Sequence, residues 1–397
     1  MKSRPSGRLF FWFLTHLRYS EGVKPLSTPF VPGAAVPADL PARRGGASLD
    51  VLRFLAAAFI LLFHFGPSAP VNLRLVSPIF EQGWLATDLF LMLSGFVLSR
   101  AYGGRLTQSQ MRPTHFFLKR FARLWPSHLV VLLIFAVFIV TATLLGFPPN
   151  HGDHYGLNAL FAQAFMVHGW GIIGTPTWNI PTWTLSALLV CYGLFAVYAR
   201  WVHHRSLIVL AGIAAVVLAA AHVLSETLAS HAFADLPLAW GLLRAIPLFI
   251  LGNLIERATA RLRLSQAMFW PLATVALAAA CGLALLPRHL LSDTVILMLL
   301  GTVLAVSGGV TFRESVVTQR LGRASFALFL THSLVGAVWF SLTPKVVAML
   351  GLGLPAQWAL WATALLAAMI TAFLFDALVD KPLSTWVSKF SFVRGGV

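Results

Sequence analysis

The chain has 397 residues, of which 58% are hydrophobic and only 11% charged, with a mean hydropathy of +0.80. Soluble domains carry about a quarter charged residues, so this composition excludes an ordinary water-soluble globule and points to a chain solvated largely by lipid. The formal charge of +16 raises nucleic-acid binding, but such binders gather their cations on one face or in one domain, whereas here they punctuate the apolar runs, as membrane topology demands.

Residues 1–48 come first. They are basic (Arg4, Arg8, Arg18, Lys24) and rich in Pro and Gly, and their apolar patch from Leu9 to Leu14 is too short to span a bilayer. No A-x-A-like cleavage site follows closely, so the segment reads as a basic cytoplasmic extension with a disordered composition, not a signal peptide. A span needs about 20 apolar residues, and ten such runs follow. They lie at 51–70, 84–101, 124–146, 183–201, 206–224, 239–256, 267–287, 293–312, 324–343 and 357–379. Residues 158–180 are apolar but broken by Gly169, Gly171, Gly174 and Pro176, which predicts a short re-entrant or interfacial helix.

With the N-terminus inside, 25 of the 29 Lys and Arg residues fall on cytoplasmic segments. Arg74, Arg288 and Lys345 fall outside, and Arg244 lies within a span. The positive-inside rule then fixes an all-α polytopic transmembrane bundle of about ten spans with both termini cytoplasmic. Cys191 and Cys281 both lie inside apolar runs and build neither a disulfide framework nor a metal site.

Ionisable residues within spans are costly and mark candidate sites. In the first span Arg53 and His64 are eleven residues apart. That is about three helical turns and roughly 16 Å, so both project from one face, Arg53 at the cytoplasmic edge and His64 deep inside. A near-neutral imidazole is the usual general base; its plainer role would be a hydrogen bond to a neighbouring helix. In the second span Asp88 lies about a turn inside the outer end, where a carboxylate could orient that imidazole or simply form a structural ion pair. Ser94-Gly95 reads as a site of close helix approach. Lys119, Arg120 and Arg123 form a one-turn cationic cluster before the third span. Such a cluster suits the phosphates of a nucleotide-bearing donor and equally suits topogenesis or lipid headgroups.

Together these segments resemble the acyltransferase-3 family of integral membrane acyltransferases. The Arg53 to His64 spacing is similar to the family's first-span motif, and Thr87-Asp88 through Gly95-Phe96 to its "VDLFFVLSGF" stretch. Phe117 to Pro126 resembles "FxxxRxxRLxP", and Asn179 through Trp183 to Ser186 resembles "NxPSWSLS". Leu243-Arg244 to Gly252 is similar to "LRxxxxFxxG", Leu321 to His332 to "LGxxSYxLYLxH", and Asp380-Lys381-Pro382 stands where the family often has Glu-Lys-Pro.

The resemblance implies a membrane domain over 49–385, a short cytoplasmic tail over 386–397, and a bacterial plasma (inner) membrane location. It also implies transfer of an acyl group, usually acetyl, from cytoplasmic acyl-CoA to a hydroxyl of a carbohydrate or glycan. On that reading acyl-CoA is the donor substrate, no cofactor is bound, and a homo-oligomer remains open. His64 and Asp88 would be catalytic, Arg53, Arg120 and Arg123 would bind acyl-CoA, and Trp183, Ser186, Arg244 and His332 would serve the acceptor or support the site. One position departs: where the family has a Glu two places after "WSLS", this chain has Leu188, and Asp376 or Glu256 are the carboxylates that could substitute. A proton-coupled transporter, a catalytically impaired homologue, and a lipid or other non-glycan acceptor are the alternatives.

Overall fold

The computed structural model describes residues 42–149, 152–287 and 289–390, all within the unit Pro41–Val397. Its helices are α1 (Gly46–Phe65), α2 (Leu73–Val76), α3 (Gly83–Thr107), α4 (Pro113–Leu144), α5 (Leu157–Ala164), α6 (Trp183–His203) and α7 (Leu207–Ala229). They continue with α8 (Gly241–Thr259), α9 (Gln266–Ala284), α10 (Leu290–Gly309), α11 (Val316–Leu350), α12 (Leu354–Phe375) and α13 (Lys381–Val387). No β-strand forms among the described residues, and ten helices are long and apolar enough to cross a membrane. The all-α, ten-span architecture is therefore as expected.

Local chemistry sets the helix limits. Gly66 and Pro67 end α1 in a short 3₁₀ turn. Ser315 opens α11 with a reciprocal capping box to Thr318. Several spans run longer than hydropathy alone predicts, α4 and α11 the most. α4 starts at Pro113 rather than 124, with Pro at a first-turn position where its missing N–H costs nothing. Lys119, Arg120 and Arg123 therefore ride on the helix itself, not on a preceding loop. α11 has 35 residues, roughly 52 Å against a hydrocarbon core of about 30 Å, so it projects well beyond any bilayer. Residues 158–180 form no span: the short α5 is followed by a π-helical turn, His168–Ile172, with Gly171 at φ 87°. Helix α1 begins at Gly46, so the end of the proposed 1–48 extension is helical. Residues 1–41, which carry most of that extension, and 391–397 of the tail lie outside the described residues.

The centre of the bundle is the pair α3 and α8. Apolar surface gives little drive between helices already in lipid, so close backbone approach has to supply the packing. Gly95 of α3 faces the Phe249 carbonyl, and Gly252 of α8 faces the Met92 carbonyl. A methyl group at either would overlap the other helix's backbone. The Ser94-Gly95 pair thus does mark close approach, through Gly95. Helices α1 and α11 run side by side in the same direction: Gly322 abuts the Asp50 carboxylate near their N-termini, and Gly336 abuts Phe65 further along. Helices α7 and α9 turn many large apolar side chains outward, among them Ile208, Val216, Trp270 and Val275. Arg53 lies near one end of the bundle, called here the arginine end; Asp88 and Arg244 lie near the other, the far end.

Candidate active site

His64 sits in the last turn of α1, half-buried, with its neighbours firmly mounted. Phe63 lies under the Arg74 guanidinium at 4.8 Å, and Phe65 packs edge-on to Phe340. The Trp361 indole N–H of α12 donates to the Phe65 carbonyl at 2.9 Å, satisfying an acceptor that the helix end would otherwise leave open. The His64 ring nitrogens make no hydrogen bond among the described residues. The ring instead faces His332 of α11, with 5.2 Å between centroids. His332 is 1% exposed, and its Nδ1 lies 3.0 Å from the Leu328 carbonyl. A carbonyl only accepts, so Nδ1 carries the proton and Nε2 keeps its lone pair. That Nε2 is buried without a partner. The structure thus brings together two histidines that lie far apart in sequence, one of them fixed in tautomer.

Asp88 does not take the place expected of it. Its carboxylate accepts a hydrogen bond from Arg244 Nε at 2.8 Å, and the two side chains are 0% and 9% exposed. The contact is a buried ion pair joining α3 to α8, beside the glycine crossing, and not a hydrogen bond to His64. The sequence suggests a similar depth for both groups, but depth does not decide which helix face meets which. Arg244 is therefore the fixed partner of Asp88.

At the arginine end, Arg53 is half-buried and lies 3.5 Å from Asp50, one turn back on α1. Arg120 donates to the Tyr102 hydroxyl at 2.7 Å and stacks on its ring at 4.8 Å. Arg123 is committed elsewhere: Asp380 takes two hydrogen bonds from it, at 2.7 and 2.8 Å, and a third from Ser127 at 2.6 Å. All three guanidinium groups lie within electrostatic reach of Tyr192 on α6, a residue the sequence reading did not single out. Arg53 and Arg120 remain as cations without a carboxylate held in a two-pronged grip; Arg123 is neutralised in place.

Trp183 and Ser186 support the re-entrant segment. The Ser186 hydroxyl donates to the Met166 carbonyl at 2.6 Å and accepts from the Gly169 N–H at 3.0 Å, and Trp170 Nε1 donates to the Ser186 carbonyl. A hydroxyl so fully used is a structural tie. The Trp183 ring covers Gly241 at the start of α8, where a side chain would collide with it. Leu188 is 2% exposed, within the main apolar core. Neither carboxylate considered as a substitute reaches it. Glu256 is held by Ser99 at 3.2 Å and Arg100 at 3.6 Å, and Asp376 by Arg323 at 3.4 Å, all at the arginine end.

A family profile described as an acyltransferase domain, of the acyltransferase-3 type, matches residues 47–377. The chain belongs to the acyltransferase-3 family. Among its relatives, an acyltransferase of Streptomyces mycarofaciens, MdmB, is 31% identical over 315 residues, covering 72% of this chain and 78% of that protein. Protein 2 of the picA locus of Rhizobium radiobacter is 35% identical over 167 residues, covering 38% of this chain and 80% of that protein. No solved structure matches significantly. Within this acyltransferase-3 chain the structure adds residues that the sequence did not flag. These are Tyr192 among the arginines, Arg74 above Phe63, and a second histidine pair, His128 and His168, with stacked rings 6.2 Å apart; Asp380, flagged only as part of a motif, proves to be the partner of Arg123. Aromatic and histidine periodicity inside apolar runs gave no signal for the histidine pair.

Proposed function

We propose that this membrane acyltransferase moves an acyl group, acetyl in the simplest case, from cytoplasmic acyl-CoA to a hydroxyl of a carbohydrate acceptor, with His64 as general base. The observation that carries the reading is the His64–His332 pair: an imidazole with unengaged ring nitrogens, half-buried, facing a second imidazole that offers only a lone pair. A small rotation of His64 lets its N–H donate to His332 Nε2. That would set the His64 tautomer and aim its other nitrogen at a substrate hydroxyl, which is the role first assigned to Asp88.

The step balances as follows. His64 takes the hydroxyl proton as the acceptor oxygen attacks the thioester carbonyl carbon. The carbon–sulfur bond then breaks, and the CoA sulfur leaves with the proton that His64 returns. Arg53 and Arg120 at the arginine end would hold the CoA phosphates, and the roughly 16 Å from Arg53 to His64 along an unbroken α1 suits an extended pantetheine arm. The bacterial inner membrane, with the arginine end in the cytoplasm, is the location consistent with the distribution of Lys and Arg.

The acceptor admits a second reading, a lipid-borne hydroxyl. An apolar groove of about 520 Å³ lies between α4 and α6, lined by Phe117, Phe121, Phe165, Trp170 and Leu194 among others, and an alkyl or isoprenoid chain fits its chemistry. Membranes containing the protein, given radiolabelled acetyl-CoA and cell-envelope glycans, test both readings. Label should enter a water-soluble or a lipid-extractable glycan in a His64-dependent way. Transfer that survives His64→Ala sinks the proposed base, and absence of any CoA release or transfer sinks the acyl-transfer reading.

A further inference from the structure

The non-spanning segment after α4 carries buried polar atoms that the acyl-transfer step does not use. His128 of α4 is 0% exposed, and its Nε2 lies 2.8 Å from the Gln163 carbonyl, so Nε2 is the donor and Nδ1 holds a lone pair. His168, in the turn after α5, places Nε2 3.1 Å from the Thr182 hydroxyl. That hydroxyl already gives its proton to the Asn179 carbonyl at 2.7 Å, so His168 Nε2 must donate and Nδ1 again keeps a lone pair. Asn179, also 0% exposed, donates through Nδ2 to the Leu330 carbonyl at 2.8 Å, which leaves its Oδ1 as an acceptor. Two residues beyond Leu330 stands His332, whose Nε2 is in the same condition.

Each of the four remaining atoms, His128 Nδ1, His168 Nδ1, Asn179 Oδ1 and His332 Nε2, is buried and has no hydrogen-bond partner. The residues are linked to one another. Gln163 accepts from His128 through its backbone carbonyl and from the Asn179 N–H through its side chain, and Thr182 joins His168 to Asn179. Buried polar atoms in native proteins are almost always paired, and an exception calls for an explanation. These exceptions share one sign: all four accept, and none can donate.

We propose that this nest is the binding site for the acceptor, and that it recognises a polyhydroxylated ring by accepting its hydroxyl protons at His128 Nδ1, His168 Nδ1 and Asn179 Oδ1, while His332 Nε2 serves His64. A polyol brings several O–H donors on a compact frame, which is the complement of an acceptor-only site. The connection through Leu330 to His332, and so to the ring facing His64, would set one hydroxyl beside the base while its neighbours are held at His168 and His128. The inference rests on the acyl-transfer reading and deepens it, by adding His128 and His168, which stand in none of the family motifs quoted above, to Asn179 and His332, which do.

The test measures binding without any acyl donor, so that catalytic failure cannot masquerade as a binding failure. Purified protein in lipid nanodiscs is titrated with methyl glycosides of glucose, galactose, mannose and rhamnose, by calorimetry or saturation-transfer NMR. For any glycoside that binds, each hydroxyl is then replaced in turn by hydrogen and by fluorine. Fluorine accepts weakly and cannot donate, so at an acceptor-only site the deoxyfluoro sugar should lose affinity as fully as the deoxy sugar. About tenfold per hydroxyl is expected, the value of one hydrogen bond. His128→Phe and His168→Phe should each weaken binding by a similar factor, and His168→Asn, which keeps an acceptor oxygen, should recover part of it.

Fluoro analogues that bind like the parent sugar would overturn the proposal, as would a panel in which no glycoside binds saturably; water would then be what the nest holds. If the Phe variants do not fold, the analogue series on the unmodified protein still decides. Sugar binding with the expected pattern but no acyl transfer would support the nest and overturn the acyl-transfer reading instead.

Discussion

The Asp88–Arg244 pair separates two accounts of the same carboxylate. If Asp88 oriented His64, its loss would lower turnover and leave the fold intact. The geometry says otherwise: a 2.8 Å ion pair, with side chains 0% and 9% exposed, between the two central helices. Removing one member takes from the other its 2.8 Å partner inside the bundle, and breaking a buried pair costs about 3–5 kcal/mol, whereas replacing both by apolar groups of similar volume is often close to neutral. An arginine near a helix end can bend its stem toward the interface and recover part of that, so about 3 kcal/mol is expected for Asp88→Leu. Arg244→Met should cost about as much, since it removes the cation of the same buried pair. The double variant should return to within about 1 kcal/mol of the parent, giving a coupling of several kcal/mol in a double-mutant cycle. Unfolding in mixed micelles with rising SDS, followed by tryptophan fluorescence, reads the stabilities; acetyl transfer in the same membranes reads function. The reasoning is refuted if Asp88→Leu is as stable as the parent while its turnover falls as far as that of His64→Ala. It is refuted equally if the double variant is no more stable than the singles.

Other consequences can be measured in the same preparations. Asp380→Asn should cost about 1–2 kcal/mol, less than for Asp88 because Arg123 is a third exposed. It should leave KM for acetyl-CoA within about twofold, while Arg53→Ala should raise that KM about tenfold, the value of a charge-assisted hydrogen bond; initial rates over a range of acetyl-CoA decide. Gly252→Ala drives a methyl into the Met92 carbonyl and should destabilise by about 1–3 kcal/mol, visible as a lower midpoint in the SDS titration. Glu314 is the pH-sensitive element outside the spans. Burial raises its carboxyl, but hydrogen bonds from Arg43 and Gln319 outweigh this and leave it below its ordinary 4.5. The folded value is the depressed one, so the Arg43 clasp contributes fully above pH 4.5 and is lost as pH falls through the lowered value. Hydrogen exchange at Gly45–Ser48 should accelerate in that acid window and not between pH 6 and 8.

Span number and the non-spanning character of 158–180 were legible because they depend on summed hydropathy, which neighbouring helices do not alter. The start of α4 was not, because a hydropathy window registers the lipid-embedded part of a helix and is blind to a helical run carrying Lys119 and Arg120. His64 was legible as an ionisable residue out of place in a span, and Asp88 and Arg244 for the same reason. Their partners were not, since pairing depends on which faces of α1, α3, α8 and α11 meet. The pairing of Arg244 with Asp88 is written in the Gly95 and Gly252 crossing, which lets α3 and α8 approach closely enough for the ion pair to close. His128 escaped because a histidine in an apolar run, read alone, is indistinguishable from one that satisfies a neighbouring carbonyl, and its Nε2 does just that.

Leu188 shows how the parts constrain one another. A carboxylate at that place would be one more buried anion in the α6 face of the core, where Leu188 is 2% exposed, and it would need its own cation. Among the described residues, the arginine buried in the far half, Arg244, is already held by Asp88, while Glu256 and Asp376 are tied to Arg100 and Arg323 at the other end. A leucine there adds no charge to the core, and on the proposed function the work of orienting the base would pass to a neutral group. On that proposal His332 would meet the need at no Born cost, because its tautomer is set by a backbone carbonyl one turn back rather than by an ion. A His332→Gln variant, which can still present an oxygen acceptor to His64, should therefore keep more acetyl transfer than His332→Phe at equal stability. Equal activity of the two would show that His332 packs against the base without orienting it.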